Sequence, residues 1–332
     1  MKKFLTLAVI LLLAASYSMD ITKHKVEAGA DFSMGSYSAF YDMWAYDADI
    51  QVMNFTVPAV MYKFEAKPSD MFKLYLHGGL MYIMSQYTVD GETEATKDCY
   101  ASALGIQLEP MGKFYLPNNL FVKVGLPFGY ASMTDQDEDA DAKPYMNLDM
   151  FANFGFDNRE IDMHGLTPWN LFEKGMAFYG VFNMGVMESV DGDDTEELPM
   201  YFGVEGCYAY YADAMMVKPY LKYTYQLNEG SDTEPLAKDT KVNIGVDFVK
   251  DFNEKFNLQA GLDFEIEELE ESRNDEGMYN YLMIDAVASY YVIPELDVYA
   301  NLGMSMDLTS DDADPGIAFG LGAIYTFNLI KK

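Results

Sequence analysis

Residues 242–264 read Val242-Asn243-Ile244-Gly245-Val246-Asp247-Phe248-Val249-Lys250-Asp251-Phe252-Asn253-Glu254-Lys255-Phe256-Asn257-Leu258-Gln259-Ala260-Gly261-Leu262-Asp263-Phe264. Val242, Ile244, Val246 and Phe248 alternate with small or polar residues, the chain turns within 251–254, and Phe256, Leu258, Ala260, Leu262 and Phe264 alternate again. A period of two puts each apolar set on one face of a strand, so the segment predicts two strands joined by a tight turn. The far end of the second strand is different: Glu267, Glu268, Glu270 and Glu271 open a long acidic connection. The pair of features, a short turn at one end and a long acidic loop at the other, decides the fold because it recurs along the chain.

Upstream, the same alternation appears in Phe72, Leu74, Leu76, Leu80 and Tyr82, in Leu120, Val122, Val124, Leu126, Phe128 and Tyr130, and in Val217, Leu221, Tyr223 and Tyr225. Downstream it continues in Leu282, Ile284, Ala286, Ala288 and Tyr290, in Val298, Ala300, Leu302 and Met304, and in Ile317, Phe319, Leu321, Ala323, Tyr325 and Phe327. Long connections lie near 35–48, 88–98, 133–143, 190–198, 229–239, 269–277 and 308–315, and short ones near 66–70, 116–119, 212–214, 251–254 and 293–295. One connection on the short side, Asp157 to Glu173 with Pro168-Trp169, is long. With it, seven long loops and six connections on the opposite end join fourteen strands.

A meander crossing a membrane shows this asymmetry, with tight turns toward the periplasm and longer loops outside. A soluble two-sheet sandwich, the competing reading, matches the alternation within strands but gives no reason for connections to alternate in length. The expected fold is therefore all-β, a closed antiparallel up-and-down transmembrane β-barrel of about fourteen strands. Composition agrees: half the residues are apolar while the mean hydropathy is -0.10, so the apolar residues are dispersed, as alternating strands disperse them. Tyr 26, Phe 22 and Gly 25 add strand formers and tight turns.

The N-terminus sets the compartment. Lys2 and Lys3 precede an apolar run from Phe4 to Ala14, and Ala15, Ser16 and Ser18 come next, which is the layout of a secretory signal peptide. The run is shorter than the roughly 20 apolar residues of a membrane helix. Residues 1–18 are read as this leader, with cleavage near Ser16 or Ser18, and residues 19–332 as one barrel domain. The formal charge of -31 becomes -33 when the two leader lysines are removed, which argues against a nucleic-acid partner. Cys99 and Cys207 stand several strands apart and are read as free thiols rather than a disulfide.

On the leader, the meander and the last strand, Gly316 to Phe327, the mature chain resembles bacterial outer-membrane β-barrels of the porin type. The resemblance implies the outer membrane as location. It further implies a last-strand aromatic, here Phe327, as assembly signal, and as partners the barrel-assembly machinery, outer-membrane lipid and lipopolysaccharide. This sequence departs from the pattern by continuing through Asn328-Leu329-Ile330-Lys331-Lys332. No subfamily is implied.

With the apolar phase toward lipid, the opposite phase lines the lumen. Its charged candidates are Lys73, Lys123, Lys218 and Lys222 against Glu27, Asp31, Asp149, Glu205, Asp247, Asp263, Glu265, Asp285 and Asp297, with His77 as a polar lumen residue. Most acids fall in the first strand and from the tenth to the thirteenth, so closure would join them into one wall facing lysines of the third, fifth and ninth strands. A transverse field across a wet pore is expected, with cations favoured; lumen charges pairing with one another is the plainer alternative. Inward glycines such as Gly125, Gly129, Gly245, Gly261, Gly303, Gly320 and Gly322 are expected to leave space.

The outer loops concentrate carboxylates: Asp135, Asp137, Asp139 and Asp141 in one, Asp191, Asp193 and Asp194 in another. Hard oxygens of this kind hold Ca²⁺ or Mg²⁺ loosely. A dedicated calcium loop is not read, because Ala140 stands where the EF-hand motif places Gly and Met146 where it places Glu. No other cofactor is indicated. The histidines, His24, His77 and His164, do not fall near the outer rim, where barrel hydrolases set a histidine beside a nucleophile, so no enzyme is expected. The function expected from sequence is a passive channel for small hydrophilic solutes. The alternative is a non-conducting barrel acting as an adhesin or envelope-structural protein through its acidic loops.

Overall fold

The computed structural model describes residues 21–36, 50–89, 98–135, 143–162, 172–190, 192–194, 198–212, 215–228, 238–270, 277–309 and 315–327. Among them run fourteen long strands: β1 (Ile21–Ser36), β2 (Ile50–Ser69), β3 (Phe72–Val89), β4 (Asp98–Tyr115), β5 in two halves (Leu120–Gly125 and Phe128–Asp135), β6 (Lys143–Asp157), β7 (Phe172–Val190), β8 (Met200–Ala212), β9 (Met215–Gln226), β10 (Lys238–Asn253), β11 (Phe256–Glu270), β12 (Gly277–Ile293), β13 (Leu296–Asp307) and β14 (Gly316–Phe327). Each pairs antiparallel with its sequence neighbours. β1 also pairs with β14, His24 opposite Phe327 through Met34 opposite Ile317, so the sheet returns on itself. Residues 1–18, read as a leader, His164 and Trp169, and the loop residues Asp137, Asp139, Asp141 and Asp191 lie outside the described residues.

Turn chemistry fixes the short end. Asn253 accepts the Lys255 and Phe256 amides on its side chain at 2.8 and 3.0 Å, which closes the β10–β11 turn. Between β4 and β5, Pro117–Asn119 forms a single 3₁₀ turn in which Asn118 and Asn119 take φ of 62° and 60°, a region that asparagine tolerates better than most residues. At the long inward connection, Glu160–Asp162 pairs with the start of β7 and prolongs the β6–β7 hairpin beyond the barrel wall.

Two irregularities bear on phase. Pro127 has no N–H and splits β5, yet the Leu126 amide reaches the Pro110 carbonyl at 3.1 Å and the Pro127 carbonyl accepts the Asp149 amide at 2.9 Å. Register resumes at Phe128, and Leu120, Val124, Leu126 and Tyr130 keep one outward face across the break. In β7 a shift between the pairs Leu148–Met187 and Asp149–Gly185 inserts one residue, which is why the alternation of that strand is ambiguous in sequence. The pairing places Asn183 opposite Phe151 and Tyr201, on the lumen phase. On β2, Lys63 pairs with His77.

The apolar phase covers the outside. Leu321 is 65% exposed, Phe178 and Leu302 58% and Ile244 53%, and many other large apolar side chains share that face. Around a water-soluble protein such a surface is an aggregation hazard; around a membrane barrel it is the lipid contact. No helix among the described residues is long and apolar enough to cross a membrane, and the crossing elements are the strands.

Candidate functional site: the lumen

Inward side chains are buried at both ends of the described strands. At the short-turn end, Val249, Asn257, Ser289, Asp297 and Ile324 are fully buried, and two small cores form inside, Val287 with Tyr299 and Ile324, and Ala209 with Met216 and Val249. The inner mouth is therefore packed with side chains. Asp285, midway along β12, is exposed, whereas next to the long loops Ser189, Gln226, Asp239 and Glu267 are buried again.

Glycines contribute to this packing in a way that corrects the expectation. They do face inward, but neighbouring side chains lie across most of them: Phe151 over Gly125, Asn147 over Gly129, Tyr220 over Gly245, Asp285 over Gly261 and Tyr299 over Gly322. Gly303 differs, since an added Cβ there meets nothing closer than ordinary contact. The missing Cβ lets a larger inward residue of the next strand fold flat against the wall, so the space is used rather than left open.

The charged candidates fall into three groups. On β3 to β5 the lysines stand in direct register, Lys73 opposite Lys113 and Lys113 opposite Lys123. Lys113 escaped the sequence reading because the alternation of Leu104, Ile106 and Leu108 in β4 is interrupted at Pro110-Met111-Gly112. Its ammonium lies 3.0 Å from Asp157, which also takes the Arg159 guanidinium at 2.9 and 3.1 Å; all three side chains are largely buried. Arg159 further reaches the free Cys207 thiol at 3.6 Å. Nearby, His77 Nδ1 is 3.3 Å from Glu109 Oε2.

At β8 to β10 the charges pair. Lys218 bonds Asp247 at 2.8 Å, Glu205 accepts the Tyr179 hydroxyl and is register partner to Lys222, and the Lys222 ammonium stands 5.2 Å over the Tyr220 ring. Higher up, Lys241 bridges Glu267 at 2.6 Å and Asp239 at 3.4 Å. Opposite charges thus meet where the basic and acidic arcs adjoin, the pairing that the plainer alternative anticipates.

The third group is the acidic wall. Gly245 pairs with Asp263, and Asp247 and Asp285 both pair with Gly261, so Asp247, Asp263 and Asp285 share one neighbourhood on β10 to β12. Tyr220 donates to Asp263, and Asn243 to Glu265. Asp149 accepts from Asn147 at 3.1 Å on β6. Glu27 and Asp31 on β1 are register partners of Ile324 and Gly320, positions of the inward phase. At the outer end, Asp135 closes β5, and Asp193 and Asp194 pair with Val190 and Ser189. No set of three or more candidate metal ligands converges among the described residues.

No protein-family model matches this chain, and no curated protein does. Solved structures match in fold. The ΔS2S3 and ΔS2 mutants of the TodX monoaromatic hydrocarbon channel each superpose with a TM-score of 0.52 at 9% identity, over 95% of this chain and 92% and 93% of theirs. An outer membrane channel from Pseudomonas putida F1 superposes with a TM-score of 0.44 at 9% identity, over 93% of this chain and 97% of its own. At 9% identity the likeness to the TodX mutants shows the fold, an antiparallel β-barrel, and carries nothing about role or solute.

Proposed function

We propose that the barrel is a passive channel for small hydrophilic solutes that prefers cations. The observation that supports this is the unbalanced wall of β10 to β12, where Asp247, Asp263 and Asp285 share one neighbourhood and, among the described residues, only Asp247 is matched by a lysine, Lys218, at 2.8 Å. Fixed negative charge beside a water path raises the local cation concentration and lowers that of anions. Fourteen strands enclose more than the roughly eight whose interior side chains can fill. The channel does no chemistry of its own, and the acidic rim holds Ca²⁺ or Mg²⁺ loosely in bridging lipopolysaccharide.

In planar bilayers under a tenfold KCl gradient we expect discrete conductance steps and a reversal potential of the cation-selective sign. Folded, heat-modifiable protein that inserts and never conducts would sink the proposal.

A second reading, a non-conducting adhesin or envelope-structural barrel, draws on the packed inner mouth around Val249 and Ile324. Conductance separates the two, since trimming the acidic loops leaves a channel conducting but removes the surface interaction of an adhesin.

A further inference from the structure

At the short-turn end, the outward face of β10 to β12 carries two lysines among apolar residues. Lys250 lies on the outward phase, since its neighbours Val249 and Asp251 face the lumen, where Val249 is fully buried and Asp251 accepts the Asn257 carboxamide at 2.7 Å. Its register partners are Met215 and Leu258, and its ammonium stands 5.9 Å from the centre of the Phe252 ring. Lys255 follows in the turn. Asn253 accepts its amide, its carbonyl accepts the Tyr291 amide at 2.8 Å, and its ammonium stands 6.0 Å over the Tyr290 ring. Phe256 links the two rings: its centre is 5.5 Å from that of Phe252, and it is the register partner of Tyr290. The ammoniums therefore stand at the two ends of one aromatic run, whose end members Phe252 and Tyr290 are 54% and 44% exposed.

Neither lysine is neutralised within the described residues. No carboxylate oxygen of theirs lies within 4 Å of either ammonium; Asp251 is engaged on the lumen face, and Glu254, in the turn between the two lysines, reaches neither. A lysine on the lipid-facing phase is costly at mid-membrane, and is tolerated where its stem lies along apolar surface and its ammonium reaches the headgroups. Lys250 is close enough, since the turn at Asn253 is about 10 Å further along the strand. A ring face supports an ammonium while leaving its hydrogens free for an anionic oxygen. Charge-assisted bonds of this kind are the strong ones, and two cations side by side repel the ammonium of a zwitterionic headgroup. We propose that Lys250 and Lys255, with the run Phe252, Phe256 and Tyr290, form a binding site for the phosphate headgroup of an anionic phospholipid, whose acyl chains lie along the apolar face of the strands. Short turns of membrane barrels face the periplasm, so this lipid belongs to the inner leaflet. The site rests on the membrane-barrel reading and is independent of conduction.

The test uses the full chain refolded in detergent and freed of lipid, with adducts counted by native mass spectrometry during titration with phosphatidylglycerol and, separately, phosphatidylcholine. Saturable retention of phosphatidylglycerol is expected, about tenfold tighter than that of phosphatidylcholine. It should weaken about tenfold in Lys250→Gln/Lys255→Gln, survive in Lys250→Arg/Lys255→Arg, and weaken in Phe252→Ala. Lys222→Gln, which removes a lysine over an aromatic ring on the lumen face, should leave it unchanged. Excess inorganic phosphate should not displace the lipid. Heat-modifiable migration checks that each variant folds. Equal retention of the two lipids overturns the site, and so does wild-type retention by the double glutamine variant or an equal loss in Lys222→Gln. Displacement by inorganic phosphate assigns the lysines to a free anion and overturns the lipid site. The two proposals fail separately: a barrel that retains phosphatidylglycerol but never conducts keeps the site and loses the channel, and one that conducts without preferring the anionic lipid loses the site alone.

Discussion

Asp157 shows how much one residue carries inside a barrel. Its two oxygens hold Lys113 at 3.0 Å and Arg159 at 2.9 and 3.1 Å, and Arg159 in turn touches Cys207 on β8, beyond the intervening β7. Removing one member of a buried ionic group leaves its partners charged and dry, at a cost of about 3–5 kcal/mol. Asp157→Ala is therefore expected to lower the unfolding free energy of the vesicle-inserted barrel by about 3 kcal/mol in urea titration, whereas Lys218→Ala, on a more exposed pair, costs about 1 kcal/mol or less. Equal effects would show that burial does not set the strength of these pairs. Asp157 borders the long inward connection, and the short strand Glu160–Asp162 beyond it positions Arg159 to close the group. Sequence marks this segment only as an exception to the turn pattern.

Within an element, phase decides what a substitution does. On β11, Leu262 faces outward and is 45% exposed, while the next residue, Asp263, faces the acidic wall. An arginine on the lipid face near the middle of a membrane strand costs about 2–4 kcal/mol, against little on the lumen face. Leu262→Arg should thus destabilise folding into vesicles by about that amount, and Asp263→Asn by less than about 1 kcal/mol. Comparable losses would contradict the assigned faces. On β14, Phe327 is the last residue of the seam with β1, opposite His24. If it serves as assembly signal, Phe327→Ala lowers the amount of folded barrel recovered from outer membranes several-fold while leaving refolding in detergent intact; normal recovery would remove that role.

For the whole molecule, the distribution of charge matters more than its sum. A net charge of -31 says little about selectivity, because many of the acids sit in the outer loops. In the proposed channel the acids of β10 to β12 are the ones beside the water path. Replacing Asp247, Asp263 and Asp285 together with asparagine should move the reversal potential toward zero, more at low than at high salt because screening shortens the reach of the wall. Insensitivity of the reversal potential to the triple replacement would assign selectivity to the rim instead.

Alternation and loop length by themselves determined the strands, their order and the outward face. Those properties depend on a period of two and on turn chemistry, both local in the chain, and the long and short connections of the sequence recur at nearly the same residues in the structure. A bulge defeats that locality, which is why the phase of β7 needed the pairing of Leu148 with Met187 and Asp149 with Gly185. Which lumen charges meet is not local either. Lys123 stands next to Lys113 and Asn153 only because β4, β5 and β6 adopt one register, and Lys218 finds Asp247 only through the β9–β10 ladder. The space of the inward glycines was likewise settled across strands, by side chains such as Phe151 and Tyr299 whose backbone neighbours no single-strand pattern identifies. Periodicity specifies a face; only registered pairing specifies a neighbour, and the chemistry of this lumen is made of neighbours.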